Sequence, residues 1–111
     1  MTVTDEHANL RGTLHGGMTA TIIDEISTFA FNSYQIQMTN EPPKFGSASV
    51  EMSISFMGPV RVGDTILIEA WTEKVGKNLA FLSVNIFNKN KDNQLVATGK
   101  HTKFILSKSQ L

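Results

Sequence analysis

The sequence contains no cysteine, which excludes disulfide bonds, thiolate zinc sites and a cysteine nucleophile. It has no excess of charge either: ten Lys and Arg residues balance ten Asp and Glu residues, so no overall field attracts nucleic acid or an anionic membrane. No apolar run approaches the roughly 20 residues that cross a bilayer, and no basic stretch followed by an apolar run opens the chain. From these absences we expect no nucleic-acid partner, no membrane span, no secretory signal and a reducing, intracellular compartment.

The residues that are present are typical of one globular domain. Of the 111 residues, 41% are hydrophobic and 18% are charged, a balance that argues against a disordered chain. A chain of this length forms one modest core. Because we find no internal repeat and no long linker, we expect residues 1–111 to fold as a single domain.

Apolar residues recur at steps of three and four early in the chain, which predicts an amphipathic helix from Gly17 to about Ser33. The residues of this apolar stripe are Met18, Ile22, Ile23, Ile26, Phe29 and Ala30. A polar loop follows the helix, and Pro42 and Pro43 close it because a helix cannot continue there.

The rest of the chain is typical of β-strands. Alternating apolar and polar residues and intervening turn residues predict strands at 49–56, 65–74, 79–88 and 95–106, and residues 1–4 resemble the tail of another strand. Because the connections are short, we expect the four strands to pair in chain order as an antiparallel meander. The helix must bury its stripe on this sheet, so the predicted fold is α+β: a curved antiparallel sheet wrapped around one long central helix.

Two glycines, Gly16 and Gly17, stand where the predicted loop becomes the helix. Glycines at this position let the backbone approach a ligand closely, and the free N–H groups of the helix end would stabilise an oxyanion or a polarised carbonyl. The alternative is that the pair only permits a tight turn. A phosphate-binding P-loop is excluded because no Lys-Ser or Lys-Thr follows.

Asp24 lies two turns into the helix, on a face with Ala20, Thr21 and Thr28. An acid among small residues leaves room for water or substrate, and its pKa is of the kind that a half-buried site tunes. The alternative is a carboxylate that simply faces solvent.

The three histidines His7, His15 and His101 show no zinc-binding spacing, so we expect no metal site. No G-x-S-x-G elbow supports a serine hydrolase triad. Three basic residues stand at strand ends and turns: Arg61, Lys74 and Lys77. They are either solvated charges or a clamp for a phosphate-bearing ligand.

From His7 to Asp24 the chain reads His-x-Asn-x-x-Gly-Thr-Leu-His-Gly-Gly-x-x-Ala-Thr-x-x-Asp. Together with Ser-Val-Glu-Met-Ser-Ile-Ser-Phe-Met, Gly-Lys-Asn-Leu-Ala-Phe and Gly-Lys-His-Thr-Lys further along, this pattern resembles the hotdog-fold acyl-coenzyme A thioesterases of the PaaI-like branch. The resemblance covers nearly the whole chain. Relatives carry a helix and most of a first strand before the position of Met1, and we expect this chain to lack them.

The resemblance implies a mechanism. Asn9 and the Gly16 N–H would polarise the thioester carbonyl, with His15 fixing the loop, while Asp24 activates water and Ser49 orients it. Asp24 is expected to come from the partner subunit of a dimer, or of a tetramer built as a dimer of dimers. The residues that the resemblance implies for coenzyme A binding are Phe56, Met57, Gly58, Pro59, Val60, Arg61, Lys74, Val75, Gly76, Lys77, Asn78, Leu79 and Phe104.

The expected activity is hydrolysis of medium- to long-chain fatty acyl-CoA to free fatty acid and coenzyme A, without a cofactor, in the cytoplasm or mitochondria. The alternative from another class is a non-catalytic module that binds acyl-CoA or another protein. A hotdog dehydratase or hydratase is less consistent, because it would need a different pairing of acid and histidine from that at Asp24 and Ser49.

Overall fold

The computed structural model describes residues 1–41 and 46–106. A helix α1 is followed by four strands, and short 3₁₀ turns lie at Asp5–His7 and Lys89–Lys91. The bounds are α1 Gly16–Thr39, β1 Ser47–Phe56, β2 Ile66–Val75, β3 Leu79–Asn88 and β4 Gln94–Ile105. Each predicted strand is therefore present within two residues of its expected ends, and β3 has the expected bounds.

The four strands form one antiparallel sheet in the order β1-β4-β3-β2, and α1 packs on one face, mainly against β2, β3 and β4. This confirms the α+β fold with a central helix. The meander prediction is correct for β2, β3 and β4 but wrong for β1, which pairs with β4 at the far edge of the sheet. The reason is the segment 57–65, which is not a hairpin turn: it crosses the end of the sheet and hydrogen-bonds to the loop before α1, as in Leu14 N–H to Val60 O and Val62 N–H to Gly12 O.

The helix is longer than its apolar stripe predicts. Its last turns carry Ile36 and Met38, whose side chains are exposed, so this part extends beyond the sheet without burying an apolar face. It ends at Asn40, which adopts a left-handed φ of 58° and donates its N–H to Ile36 O. The two prolines expected to close the loop lie outside the described residues.

The core lies between the sheet and α1 as far as Phe31, which packs on Ala80 and Leu82. Ile22 and Ile23 are buried there with β-strand residues such as Val84 and Ile86. Phe29, predicted to be buried, is instead 71% exposed, because α1 and β2 diverge and leave an open groove between them. The apolar stripe is thus wider than the surface that the sheet covers.

The first residues form the expected strand fragment. Met1 and Ile66 exchange two backbone hydrogen bonds, and Val3 donates its N–H to Asp64 O, so the start of the chain lies beside the start of β2. Within the described ranges, no helix is long and apolar enough to cross a membrane.

Candidate active site

The loop before α1 is held by the side chain of Asn9. Its Oδ1 accepts hydrogen bonds from Arg11 N–H at 2.9 Å and from the N–H and hydroxyl of Thr13 at 3.2 and 3.1 Å. These bonds use the acceptor end of the amide and fix its orientation, which leaves the two N–H groups of Nδ2 as donors. The donor end of the Asn9 amide is therefore the part of its side chain that could bind a ligand.

His15 is the N-cap of α1. Its Nδ1 accepts the Gly17 N–H at 2.8 Å, and a Cβ on Gly17 would lie only 3.0 Å from this nitrogen. A side chain at position 17 would crowd the His15 ring, so glycine at this position favours the cap as well as the turn. The cap leaves the N–H of Gly16 at the positive end of the helix dipole. We call Asn9, His15 and Gly16 the loop half-site.

A second cluster lies near the middle of α1, where three elements meet. His101 of β4 is 1% exposed, and its ring bridges two serines: Nδ1 lies 2.8 Å from Ser27 Oγ on α1, and Nε2 lies 2.8 Å from Ser49 Oγ on β1. An oxygen of Asp24, whose side chain is 47% exposed, lies 3.9 Å from Nε2. We call Asp24, Ser49 and His101 the mid-helix half-site.

The position of His101 determines its charge. Burial lowers its pKa, the positive charge of Lys103 lowers it further, and Asp24 raises it, so the net shift is downward from the ordinary value. The ring is therefore neutral near pH 7. The described residues include no group of three or more His, Asp or Glu side chains that could hold a metal.

The sequence analysis considered His101 only as a metal ligand and did not predict that its ring bridges Ser27 and Ser49. It shares the helix-facing side of β4 with Gly99 and Lys103, a pattern of alternation visible in the sequence. The alternation does not reveal the partners Ser27 and Ser49, because the pairing of β1 with β4 brings them together.

The two half-sites of one chain do not meet. Gly16 and Asp24 are eight residues apart on one helix, which is roughly 12 Å at 1.5 Å per residue. Between them, the helix-facing side of β1 forms an apolar floor of Met52, Ile54 and Phe56, with the Phe56 ring 3.9 Å from where a Cβ on Gly16 would lie. Met52 and Phe56 are exposed because α1 covers β2 to β4 and leaves β1 open.

The residues expected to bind coenzyme A form two groups at opposite ends of the sheet. Residues 56–61 lie beside the loop half-site, where Thr13 pairs with Arg61. Residues 74–79 lie at the other end with Phe104, which is opposite Leu79. Lys74 is roughly 26 Å along β2 from Ile66, so one chain does not bring Arg61 and Lys74 together as one clamp.

The segment that carries Arg61 is itself well anchored. Asp64 Oδ2 accepts hydrogen bonds from Asn88 Nδ2 at 2.9 Å and from Arg61 N–H at 3.1 Å, and these two bonds hold the pKa of Asp64 below its usual value. The backbone of the predicted phosphate-binding segment is thus fixed while the side chain of Arg61 stays exposed.

Comparison with known proteins shows the family and the fold of the chain. The model of the thioesterase superfamily matches residues 11–94. Mouse acyl-coenzyme A thioesterase 13 is 45% identical over 105 residues, covering 95% of this chain and 69% of the mouse protein. The crystal structure of zebrafish thioesterase superfamily member 2 superposes with a TM-score of 0.82 at 40% identity, covering 96% of this chain and 71% of the zebrafish chain. A Streptococcus mutans protein solved with acetyl-CoA bound gives a TM-score of 0.78 at 25% identity, covering 96% and 77% of the two chains. The chain therefore belongs to the thioesterase superfamily and has the hotdog fold of that family.

Proposed function

We propose that this protein hydrolyses medium- to long-chain fatty acyl-CoA to a free fatty acid and coenzyme A. Membership of the thioesterase superfamily and the similarity to acyl-coenzyme A thioesterase 13 support thioester hydrolysis. The observation that carries the proposal is the mid-helix half-site: a half-exposed carboxylate, Asp24, next to a serine hydroxyl that a buried histidine holds in place.

The loop half-site would activate the electrophile. The N–H of Gly16 and an N–H of Asn9 Nδ2 both suit the thioester oxygen, and the helix dipole adds to their effect. Such preorganised donors stabilise the negative charge that develops on the carbonyl oxygen, and removal of one donor from an oxyanion hole typically costs about 10²–10³ in rate.

The mid-helix half-site would activate water. Asp24 takes a proton from the water as its oxygen bonds to the carbonyl carbon, which forms a tetrahedral oxyanion. Collapse of this intermediate breaks the C–S bond, and the protonated Asp24 returns the proton to the departing thiolate. The products are the fatty acid and coenzyme A, and no cofactor enters the balance.

The separation of the half-sites supports a site shared between two subunits. We propose a two-fold dimer in which the α1 helices run antiparallel, so that Asp24 of one chain lies beside Gly16 of the other. The exposed outer edge of β1, with Val50 and Met52 uncovered, is consistent with this, because natural proteins rarely leave an apolar edge strand unpaired. Pairing of two such dimers would give a tetramer.

The same symmetry would complete the coenzyme A site. Antiparallel helices bring residues 56–61 of one subunit toward residues 74–79 of the other, which reunites Arg61 and Lys74 across the interface. The acyl chain would lie on the apolar floor of β1 between the half-sites. This floor spans several residues of the strand, which favours medium- to long-chain groups over acetyl.

A turnover assay tests the proposal directly. Acetyl-, octanoyl- and palmitoyl-CoA are mixed with the protein, and a thiol-trapping dye reports released coenzyme A. We expect continuous release with kcat/KM higher for the two longer substrates, and loss of release in Asp24→Asn. Saturable binding of acyl-CoA without thiol release would instead identify a non-catalytic binding module.

A further inference from the structure

Lys103 is a lysine with an unusual environment. It lies on the helix-facing side of β4, two residues after His101, and only 5% of its surface is exposed. Its Nζ donates a hydrogen bond to the Thr28 hydroxyl at 2.8 Å, and among residues 1–41 and 46–106 it forms no ion pair. Burying an ammonium without a carboxylate partner costs free energy, so this charge calls for an explanation.

The hydrogen bonds around His101 have a direction. Ser27 Oγ lies 3.1 Å from the carbonyl oxygen of Asp24 and 2.8 Å from His101 Nδ1. Because a hydroxyl has one hydrogen, a neutral ring satisfies both contacts only when Ser27 donates to the carbonyl and accepts from Nδ1–H. Nε2 then carries no proton, and it accepts the hydrogen of Ser49 at 2.8 Å.

The direction of these hydrogen bonds determines whether the Ser49 hydroxyl accepts a hydrogen bond from a water molecule beside Asp24 or donates one to it. With its hydrogen committed to His101, the Ser49 oxygen is an acceptor. A water that donates one hydrogen to Asp24 and the other to Ser49 has a lone pair free to attack a carbonyl. If His101 were protonated, Nε2–H would donate to Ser49, and the Ser49 hydrogen would turn outward and occupy that lone pair.

Among residues 1–41 and 46–106, two charged groups act on His101, and they oppose each other. Asp24 on α1 favours the protonated ring, while Lys103 on β4 and burial disfavour it. The neighbours on the other two packed strands, Ser49 on β1 and Leu82 on β3, carry no charge. Of these two described groups, removal of Lys103 would leave Asp24 alone to act on the ring.

We propose that Lys103 is a positioning residue of the thioesterase site: its buried ammonium keeps His101 neutral, and neutral His101 turns the Ser49 hydroxyl so that its oxygen accepts a hydrogen bond from the attacking water. The inference rests on the proposed hydrolysis and assigns Lys103 a part in it. It also accounts for a buried cation that pairs with a hydroxyl rather than with a carboxylate.

The test compares Lys103→Met with Lys100→Met. Lys100 lies on the same strand but on the opposite face, its side chain is 67% exposed, and it contacts Glu73 and Ser83, so it is a matched control outside the site. We measure kcat with one acyl-CoA from pH 5.5 to pH 8.5, and the pH titration of the His101 ring by NMR.

In Lys103→Met the midpoint of the His101 titration should move to higher pH, because the positive charge that lowers the pKa of His101 is gone. The ratio of kcat at about pH 6 to kcat at about pH 8 should fall by up to about tenfold, because kcat follows the neutral fraction of His101 and a rise of one pKa unit lowers that fraction at most tenfold. Lys100→Met should keep the wild-type ratio. Lys103→Arg, which retains the charge, should restore the wild-type midpoint, and Lys103→Gln replaces Lys103→Met if the latter does not fold.

An unchanged His101 midpoint in a folded neutral variant would overturn the proposal, and so would a changed kcat ratio without a change in that midpoint. Either result would leave thioester hydrolysis intact. Failure of the proposed function would look different, because the wild-type protein would then release no thiol at any pH.

Discussion

The loop half-site and the mid-helix half-site lie on the same helix but are held together by different kinds of contact. In the loop half-site, Asn9 and His15 bond to backbone groups within four residues of themselves. In the mid-helix half-site, His101 bonds to Ser27 and Ser49, which are 74 and 52 residues away. The donors for a carbonyl oxygen therefore depend on local loop geometry, whereas the base and its serine depend on the register of the sheet against the helix.

The two regions also differ in what supports the exposed groups. The residues of the loop half-site are all exposed, whereas in the mid-helix half-site the half-exposed Asp24 and the exposed Ser49 lie beside His101, which is buried with Ser27 between α1 and the sheet. Changes in packing between the helix and the sheet should therefore damage the mid-helix half-site first, and the variants below separate the two regions on that basis.

The largest effect is expected at Asp24. If its carboxylate takes the proton of the attacking water, Asp24→Asn should reduce kcat by about 10²–10⁴ while KM changes little, because the amide keeps the shape but cannot act as the base. Steady-state kinetics on the folded variant check this. A kcat near that of the wild type would remove Asp24 from the mechanism.

The contrast between local and long-range contacts also decides which parts of these regions the sequence predicts. The helix start, the four strands and the Asn9-to-Gly16 loop depend on local spacing and turn residues, and the structure contains them. The neighbour of β1 and the partners of His101 depend on pairing between distant segments, which alternation along a strand does not specify. The exposure of Phe29 likewise depends on how far α1 diverges from β2.

A smaller effect is expected from Gly99→Ala, which disturbs the mid-helix region through packing. A Cβ at position 99 would lie 2.8 Å from Ile23 Cγ2 and 3.0 Å from Cδ1, so the Ile23 side chain or α1 itself must shift, next to Asp24. Overpacking of this kind costs about 1–3 kcal/mol, more than the entropy gained by replacing glycine. We expect a lower free energy of unfolding in urea and a reduced kcat.

The matched control is Gly46→Ala, where the added Cβ would lie 3.8 Å from Leu106 Cδ1, an ordinary contact. Addition of Ile23→Ala to Gly99→Ala should relieve the clash, so the double variant should lose less stability than the sum of the two single changes. Strict additivity would show that Ile23 is not what the new methyl group meets.

The smallest effects are expected at the ends of the sheet. Arg61→Ala and Lys74→Ala should each raise KM for acyl-CoA. Because both charges are exposed, each change should cost no more than about 1 kcal/mol of binding free energy, and the effect should shrink in added salt. Lys100→Ala serves as the control. An unchanged KM in the Arg61 and Lys74 double variant would show that the nucleotide part of coenzyme A does not bind at these two residues.

Complementation between two inactive chains measures the central claim, that each site combines the loop half-site of one subunit with the mid-helix half-site of its partner. Asn9→Ala and Asp24→Asn chains should each be nearly inactive alone. After co-refolding at equal amounts, about half of the dimers should be hybrids, each with one doubly altered site and one intact site. Activity should therefore recover to about a quarter of the wild-type value. If purified hybrids remain inactive, each site is built within one chain, and the account of two half-sites meeting across a dimer is wrong.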